Sequence, residues 1–305
     1  MALAAESNLT PDRLHVPVML AEVRALLCEG TRRVMVDATV GTGGHAEALL
    51  QASEATLVGL DRDPSALEVA ASRLARFGAR AVLRHADFAD MDRLMGDLAT
   101  GPVDAILADL GMSTFALDDP SRGFSFRLDG PLDMRTDPGA GVSAYALVNE
   151  EGEDELTHII REFGEDRDAR RIARAIVQAR RRRPLSSTAE LRAVIERGTG
   201  ARRRAAIHPA TRAFQALRIA VNHEIASLEA LLEHAPRCLA EGGRLAVIAY
   251  HSLEDRPVKH RFRALVSEGN FKALTPKALR PSAAECARNP RARSARLRCI
   301  ERSER

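Results

Sequence analysis

The chain has 305 residues, 45% of them hydrophobic, with 45 Lys and Arg against 42 Asp and Glu and a formal net charge of +3. That much apolar content excludes a mainly disordered protein, and at roughly 100–200 residues per domain it suggests two domains. The apolar run at residues 245–250 has only six residues, against the ~18 that a membrane span needs.

Residues 1–12 hold no basic patch followed by a long apolar stretch, so no secretory signal is expected. Cys28, Cys238, Cys286 and Cys299 lack paired spacing. This argues against a disulfide framework or a zinc site and suits a cytoplasmic protein.

The small net charge hides a segregation. Residues 85–155 carry 16 acidic and 4 basic groups, residues 161–204 carry 14 basic and 6 acidic, and residues 256–305 carry 14 basic and 4 acidic. All but three of the 45 basic residues are Arg. The planar guanidinium fork suits phosphates and base edges, so nucleic acid is a plausible partner.

Over the first 110 residues one pattern repeats: a short aliphatic run, a turn, then a helical stretch. The runs are 34–40, 56–61, 81–84 and 103–110, and the segments 45–52 and 64–77 between them have helical periodicity. Strands alternating with helices predict an α/β fold with a doubly wound parallel sheet, whose ligands lie beyond the carboxyl strand ends.

After Gly111 the pattern stops. Residues 118–141, rich in Gly, Asp and Pro, predict an extended loop, and 145–197 is helical only. Ser187 with Glu190 forms a capping box for a helix expected to end at Gly198, and a long helix is predicted over 209–234. Residues 241–250 then return to a turn and a buried strand. The expected organisation is a discontinuous domain, 1–117 and 209–305, interrupted by a helical insertion at 118–208.

Asp37-Ala-Thr-Val-Gly-Thr-Gly-Gly-His-Ala46 follows the first strand and opens a helix. Its glycines let backbone approach a ligand, and the helix N-terminus offers unpaired N–H groups. Asp61, eighteen residues after Gly43 at the end of the second strand, can accept both ribose hydroxyls of a nucleoside. Gly41-x-Gly43-x-x-Ala46 formally satisfies the dinucleotide fingerprint. A diphosphate would be repelled by Asp37, however, whereas the cationic amino-acid tail of S-adenosylmethionine would be attracted. Phe88 is a candidate platform for adenine, with Asp87 near its amino group.

The fourth strand ends in Leu107-Ala-Asp-Leu-Gly-Met-Ser113, facing the reactive end of such a cofactor. Asp109 and Ser113 can accept hydrogen bonds from an exocyclic amine and aim its lone pair. Methylating a pyrimidine ring carbon needs a Cys nucleophile, and none lies near residues 107–115. His251, just after the returning strand, is a candidate proton acceptor.

Taken in order, these segments closely resemble the bacterial 16S ribosomal RNA (cytosine-N4)-methyltransferase family. The most specific stretches are Arg122-Gly-Phe-Ser-Phe-Arg-Leu-Asp-Gly-Pro-Leu-Asp-Met-Arg135 and His208-Pro-Ala-Thr-Arg-Ala-Phe-Gln-Ala-Leu-Arg218. The resemblance implies a Rossmann-like S-adenosylmethionine-dependent methyltransferase with a helical substrate-recognition insertion. It further implies N4-methylation of a cytidine in the decoding region, with 16S rRNA or the small ribosomal subunit as partner. By position it implies cofactor contacts at Gly43, Gly44, His45, Asp61, Phe88 and Asp109.

One departure stands out. Ala116 falls in a segment where the family usually has Gln, so a side-chain amide contact is missing. The 122–135 loop is expected to border the target base, with Phe124 or Phe126 available to stack on it. The basic runs 180–183, 202–204 and 288–298 are candidate contacts to the RNA backbone.

Overall fold

Parallel strands must alternate their apolar side chains between two faces when both faces are covered, and the runs in this chain do so. A computed structural model describes residues 17–98, 101–112, 114–200 and 208–303; Ser113 and the basic run 202–204 lie outside the described residues. The described strands are β1 (Val34–Asp37), β2 (Thr56–Asp61), β3 (Ala81–His85), β4 (Val103–Asp109), β5 (Leu239–Ala249), β6 (Phe271–Ala273) and β7 (Arg296–Arg302). They form one sheet in the order β3-β2-β1-β4-β5-β7-β6, in which only β7 runs against the rest.

The helices are α1 (Leu20–Leu27), α2 (Gly44–Gln51), α3 (Pro64–Leu74), α4 (Met91–Asp97), α5 (Thr114–Leu117), α6 (Ala144–Glu150), α7 (Glu153–Gly164), α8 (Ala169–Arg180), α9 (Thr188–Thr199), α10 (Pro209–Val221), α11 (Glu224–Cys238), α12 (Ser252–Ser267) and α13 (Ala283–Arg288). Val36, Val58, Ile106 and Val247 point to one face of the sheet, against α4, α11 and α12. Met35, Leu57, Leu107 and Ile248 point to the other, against α1, α2 and α3. This period-two split between two covered faces is the doubly wound architecture expected from the sequence.

A third core holds no strand. It joins α6 to α10 with Phe124, Leu132 and Met134 of the long loop, and α10 contributes Ala210, Ala213, Phe214, Leu217 and Val221. The helical unit therefore draws apolar side chains from beyond residue 208.

Three expectations need correction. The predicted helix over 209–234 is two helices, broken at Asn222 and at His223, which adopts φ 52°. Its halves belong to different cores: α10 packs in the helical unit and α11 on the sheet. The buried Asn222 side chain holds the junction. Its Oδ1 accepts from Thr136 N at 2.7 Å, and its Nδ2 donates to Met134 O at 2.7 Å and Arg218 O at 2.9 Å. Asn222→Ala is expected to cost about 2–4 kcal/mol, because it strands buried backbone groups of the loop; urea unfolding measures this.

The helix predicted to end at Gly198 continues to Thr199 and closes on Gly200 at φ 71°. Gly198 instead gives α8 room, since a Cβ there would lie 2.6 Å from that of Ala175. Finally, the segment predicted helical over 64–77 leaves α-helical geometry after Leu74, and the 3₁₀ turn that follows bends sharply at Gly78.

Candidate active site

A cavity of about 360 Å³ opens over the carboxyl ends of β1, β2, β4 and β5, and the helical unit supplies part of its wall through Ala116, Leu117, Thr136 and Arg218. Gly41, Thr42, Gly44 and His45 of the glycine turn line it, with Asp61, Phe88, Asp109 and His251. Gly43 lies behind the wall. At φ 84° it closes the turn with its N–H on Val40 O at 2.8 Å, and its Cα faces Ala70. Its contribution is therefore the shape of the turn.

Asp61 sits at the end of β2 with one amide on each oxygen: Gly41 N–H donates to Oδ2 at 2.7 Å and Asp63 N–H to Oδ1 at 2.8 Å. Burial pushes its carboxyl above the ordinary range, against those two bonds. A carboxylate oxygen has a second acceptor position, so both remain able to take a hydroxyl.

Asp37 is buried beneath the glycine turn. Its Oδ1 accepts from Thr39 N at 3.2 Å, while Oδ2 is enclosed without any hydrogen-bond partner. Burial, with help from Asp109 and Asp61 and against the influence of His45, pushes its carboxyl up to about 7. An orphaned carboxylate oxygen among two further carboxylates is a place that favours an incoming cation.

Phe88 stands in the cavity wall on a 3₁₀ turn whose cap is Asp87, with Ala89 N–H donating to Oδ1 at 2.9 Å. The second Asp87 oxygen accepts from Ser227 Oγ at 2.8 Å and lies 3.4 Å from Arg62. Asp87 is thus committed to the turn and to α11, which corrects the expectation that it faces an adenine amino group.

Asp109 ends β4. Its N–H donates to Thr39 Oγ1 at 2.7 Å, and its Oδ1 accepts from the Tyr250 hydroxyl at 2.9 Å and from Gly111 N–H at 3.3 Å. Oδ2 lies 3.4 Å from His45 Nε2. His251 caps α12, with its Nε2 3.0 Å from Glu254 Oε1. Ligand atoms of Glu224, His251 and Glu254 fall within 4.8 Å of one another. Both Glu224 oxygens, however, accept from Arg218, at 2.8 and 2.9 Å, so a protein cation already balances the group.

Sequence reasoning missed Tyr250, Glu254, Glu224 and Arg218. Tyr250 had an available signal, because it ends the strand predicted over 241–250, at the carboxyl end where ligands lie; in the sheet Asp109 faces Ile248, two residues before it. Arg218 ends the 208–218 stretch that carries the family resemblance, whereas Glu224 had no signal, since it follows a helix break that only the fold reveals. The stacking expectation for Phe124 and Phe126 is also corrected. Phe124 is buried in the helical core, and Phe126 stacks on His208 at 4.8 Å and meets Phe214 edge-on at 5.3 Å. Both anchor the loop, and neither lines the cavity. Ala116 does line it, presenting a methyl group.

Residues 12–303 match the family described as the MraW methylase family. The chain belongs to the MraW methylase family. Among its curated relatives, ribosomal RNA small subunit methyltransferase H of Synechococcus sp. (strain JA-2-3B'a(2-13)) is 50% identical, covering 95% of this chain and 92% of that one. The protein of the same name from Cyanothece sp. (strain PCC 7425 / ATCC 29141) is 48% identical over 97% of each chain. That from Sorangium cellulosum (strain So ce56) is 47% identical over 94% and 90% respectively. The MraW match spans both the sheet and the helical unit, so every wall of the cavity lies within the family's extent.

Proposed function

We propose that the chain transfers a methyl group from S-adenosylmethionine to the exocyclic N4 amine of a cytidine in the decoding region of 16S rRNA, presented as free rRNA or within the small ribosomal subunit. The observation that carries this reading is one cavity lined by two strand-end carboxylates, Asp61 over the nucleoside side and Asp109 over the reacting side, with Asp37 and its unpartnered oxygen buried behind the lining at the end of the strand between theirs. The relatives' names agree with it.

In this reading Asp61 accepts the ribose hydroxyls, Phe88 carries adenine, and Gly41 to His45 wrap the amino-acid tail, with Gly43 shaping the turn. S-adenosylmethionine supplies an electrophilic methyl group on a sulfonium; the protein has to orient the amine toward it. A cytosine amine is a poor nucleophile because its lone pair is shared with the ring. Asp109, with Ser113, accepts its N–H bonds and turns that lone pair into line. His251 receives the proton that the amine sheds.

The helical unit, expected over 118–208 and sharing its core with α10, is proposed to receive the RNA. The basic runs of the helical unit and of the C-terminal segment are not equally free. Arg180 donates to Val148 O, Arg183 to Glu190, and Arg296 and Arg298 both grip Asp255. Among the described residues Arg181, Arg182, Arg288 and Arg293 are exposed without an ion pair. They are the proposed phosphate contacts. No helix among the described residues is long and apolar enough to cross a membrane, and the cytoplasm, where ribosomes are assembled, is the proposed location.

Asp37 gives this reading a pH signature. A cation held nearby favours the ionised carboxylate, so binding below about pH 7 must displace a proton from Asp37. Affinity for S-adenosylmethionine is expected to rise about tenfold between about pH 5.5 and 7.5, and to be flat in Asp37→Asn; calorimetry across that range checks it. The sign is opposite for the ligand-free protein. Its native state holds the proton more tightly than the unfolded chain, so stability declines as pH rises from the ordinary Asp range through about 7.

The reaction itself is tested by mapping N4-methylcytidine in 16S rRNA from cells with and without the gene. Loss of one modified site supports the assignment, and an unchanged map refutes it.

A further inference from the structure

Tyr250 follows the last residue of β5, and three contacts fix it. Its hydroxyl donates to Asp109 Oδ1 at 2.9 Å, and its N–H donates to Glu254 Oε2 at 2.7 Å. Its ring lies against Gly111, where a Cβ would come within 2.7 Å of Cε2 and 2.9 Å of Cζ. The backbone beside Asp109 is therefore shaped to admit this ring, and any larger residue at 111 would push it out.

The consequence falls on the Asp109 carboxylate. With the Tyr250 hydroxyl and Gly111 N–H both on Oδ1, that oxygen is filled and the carboxylate cannot turn about its axis. Among the described residues, Oδ2 meets only the His45 ring, at 3.4 Å, and keeps open acceptor positions.

Resting on the methyl-transfer reading above, we propose that Tyr250 is a positioning residue: its hydroxyl locks the Asp109 carboxylate so that Oδ2 receives the N–H of the target amine in the orientation for transfer. Tyr250 takes no proton itself. Burial, reinforced by the Asp109 carboxylate, pushes its hydroxyl far above the ordinary tyrosine range, so it stays a donor. Orientation of a reacting group is a large lever, since a displacement of about 1 Å can cost about 100-fold in rate.

Tyr250→Phe keeps the ring on Gly111 and removes only the hydroxyl. With a 16S rRNA substrate it is expected to lower kcat tenfold or more. The Kd for S-adenosylmethionine and the KM for RNA should stay within twofold and the melting temperature within a degree or two of the parent. Gly111→Ala tests the same lock from the other side, displacing the ring while keeping the hydroxyl, and its kcat should fall as well.

A Tyr250→Phe enzyme whose kcat stays within threefold of the parent overturns the positioning role. A loss explained by weaker donor binding or a lower melting temperature also overturns it, because a merely structural tyrosine would act through those. The parent protein separates this from the reading beneath it: absence of N4-methylcytidine in the parent reaction refutes the reaction, whereas parent activity with an unimpaired Tyr250→Phe refutes only the lock.

Discussion

Asp61→Ala is expected to raise the Kd for S-adenosylmethionine at least a hundredfold while the protein stays folded. A carboxylate accepting two ribose hydroxyls makes two charge-assisted hydrogen bonds, each contributing about 1.5–3 kcal/mol, so their joint loss corresponds to about 100-fold or more. Part of the effect comes from the turn itself. The Asp61 oxygens hold the N–H of Gly41 and of Asp63, so the substitution also loosens the glycine turn that lines the same cavity.

The fold should survive because Asp61 does not stabilise it on balance. Burial pushes its carboxyl above the ordinary range, meaning that the native environment disfavours its charge. Titration calorimetry against the donor, beside thermal unfolding without it, measures both halves. A Kd within threefold of the parent would remove Asp61 from the donor site. Asp61→Asn should fall between, since its amide oxygen still accepts one turn amide.

What could be read from the residues follows the range of the interactions. The strand pattern of residues 34–110 and the cap at Ser187 are local, set by side-chain period and by groups a few positions apart, and the structure keeps them. The break after α10 depends on Asn222 bonding Met134 and Thr136 across more than 80 positions of chain. Nothing near residue 222 announces it. The place of Phe124 and Phe126 is hidden for a related reason. Two aromatics in a loop beside a site look like stacking surface until the separate helical core, which needs apolar anchors from that loop, is seen.

The acidic charge of residues 85–155 is largely spent locally. Asp87, Asp119 and Asp133 cap turns or hold Arg135. Those that act on the buried Asp37 are Asp109 from that stretch and Asp61 from outside it, and Asp109 also lies 3.4 Å from His45.

Asp109→Asn should separate catalysis from binding and stability more sharply than any other single change. The amide keeps the volume and can still accept from Tyr250 on its oxygen, but the position facing His45 becomes an NH2 that cannot accept from an amine. Losing both orientation and the acceptor is expected to lower kcat by about 100- to 1,000-fold. The donor should still bind, because Asp61, Phe88 and the glycine turn are untouched.

The ligand-free variant should melt no lower than the parent at pH 8. Asp109 is one of the carboxylates that push Asp37 up, so neutralising it relieves repulsion between buried like charges. Asp37 should then ionise at lower pH, and the rise in donor affinity should move with it to lower pH. Single-turnover methylation and calorimetry on the same preparation test the pair of outcomes. A variant that kept more than a tenth of the parent rate would show that Asp109 does not hold the amine. One that lost donor binding along with the rate would place its charge in the cofactor site instead.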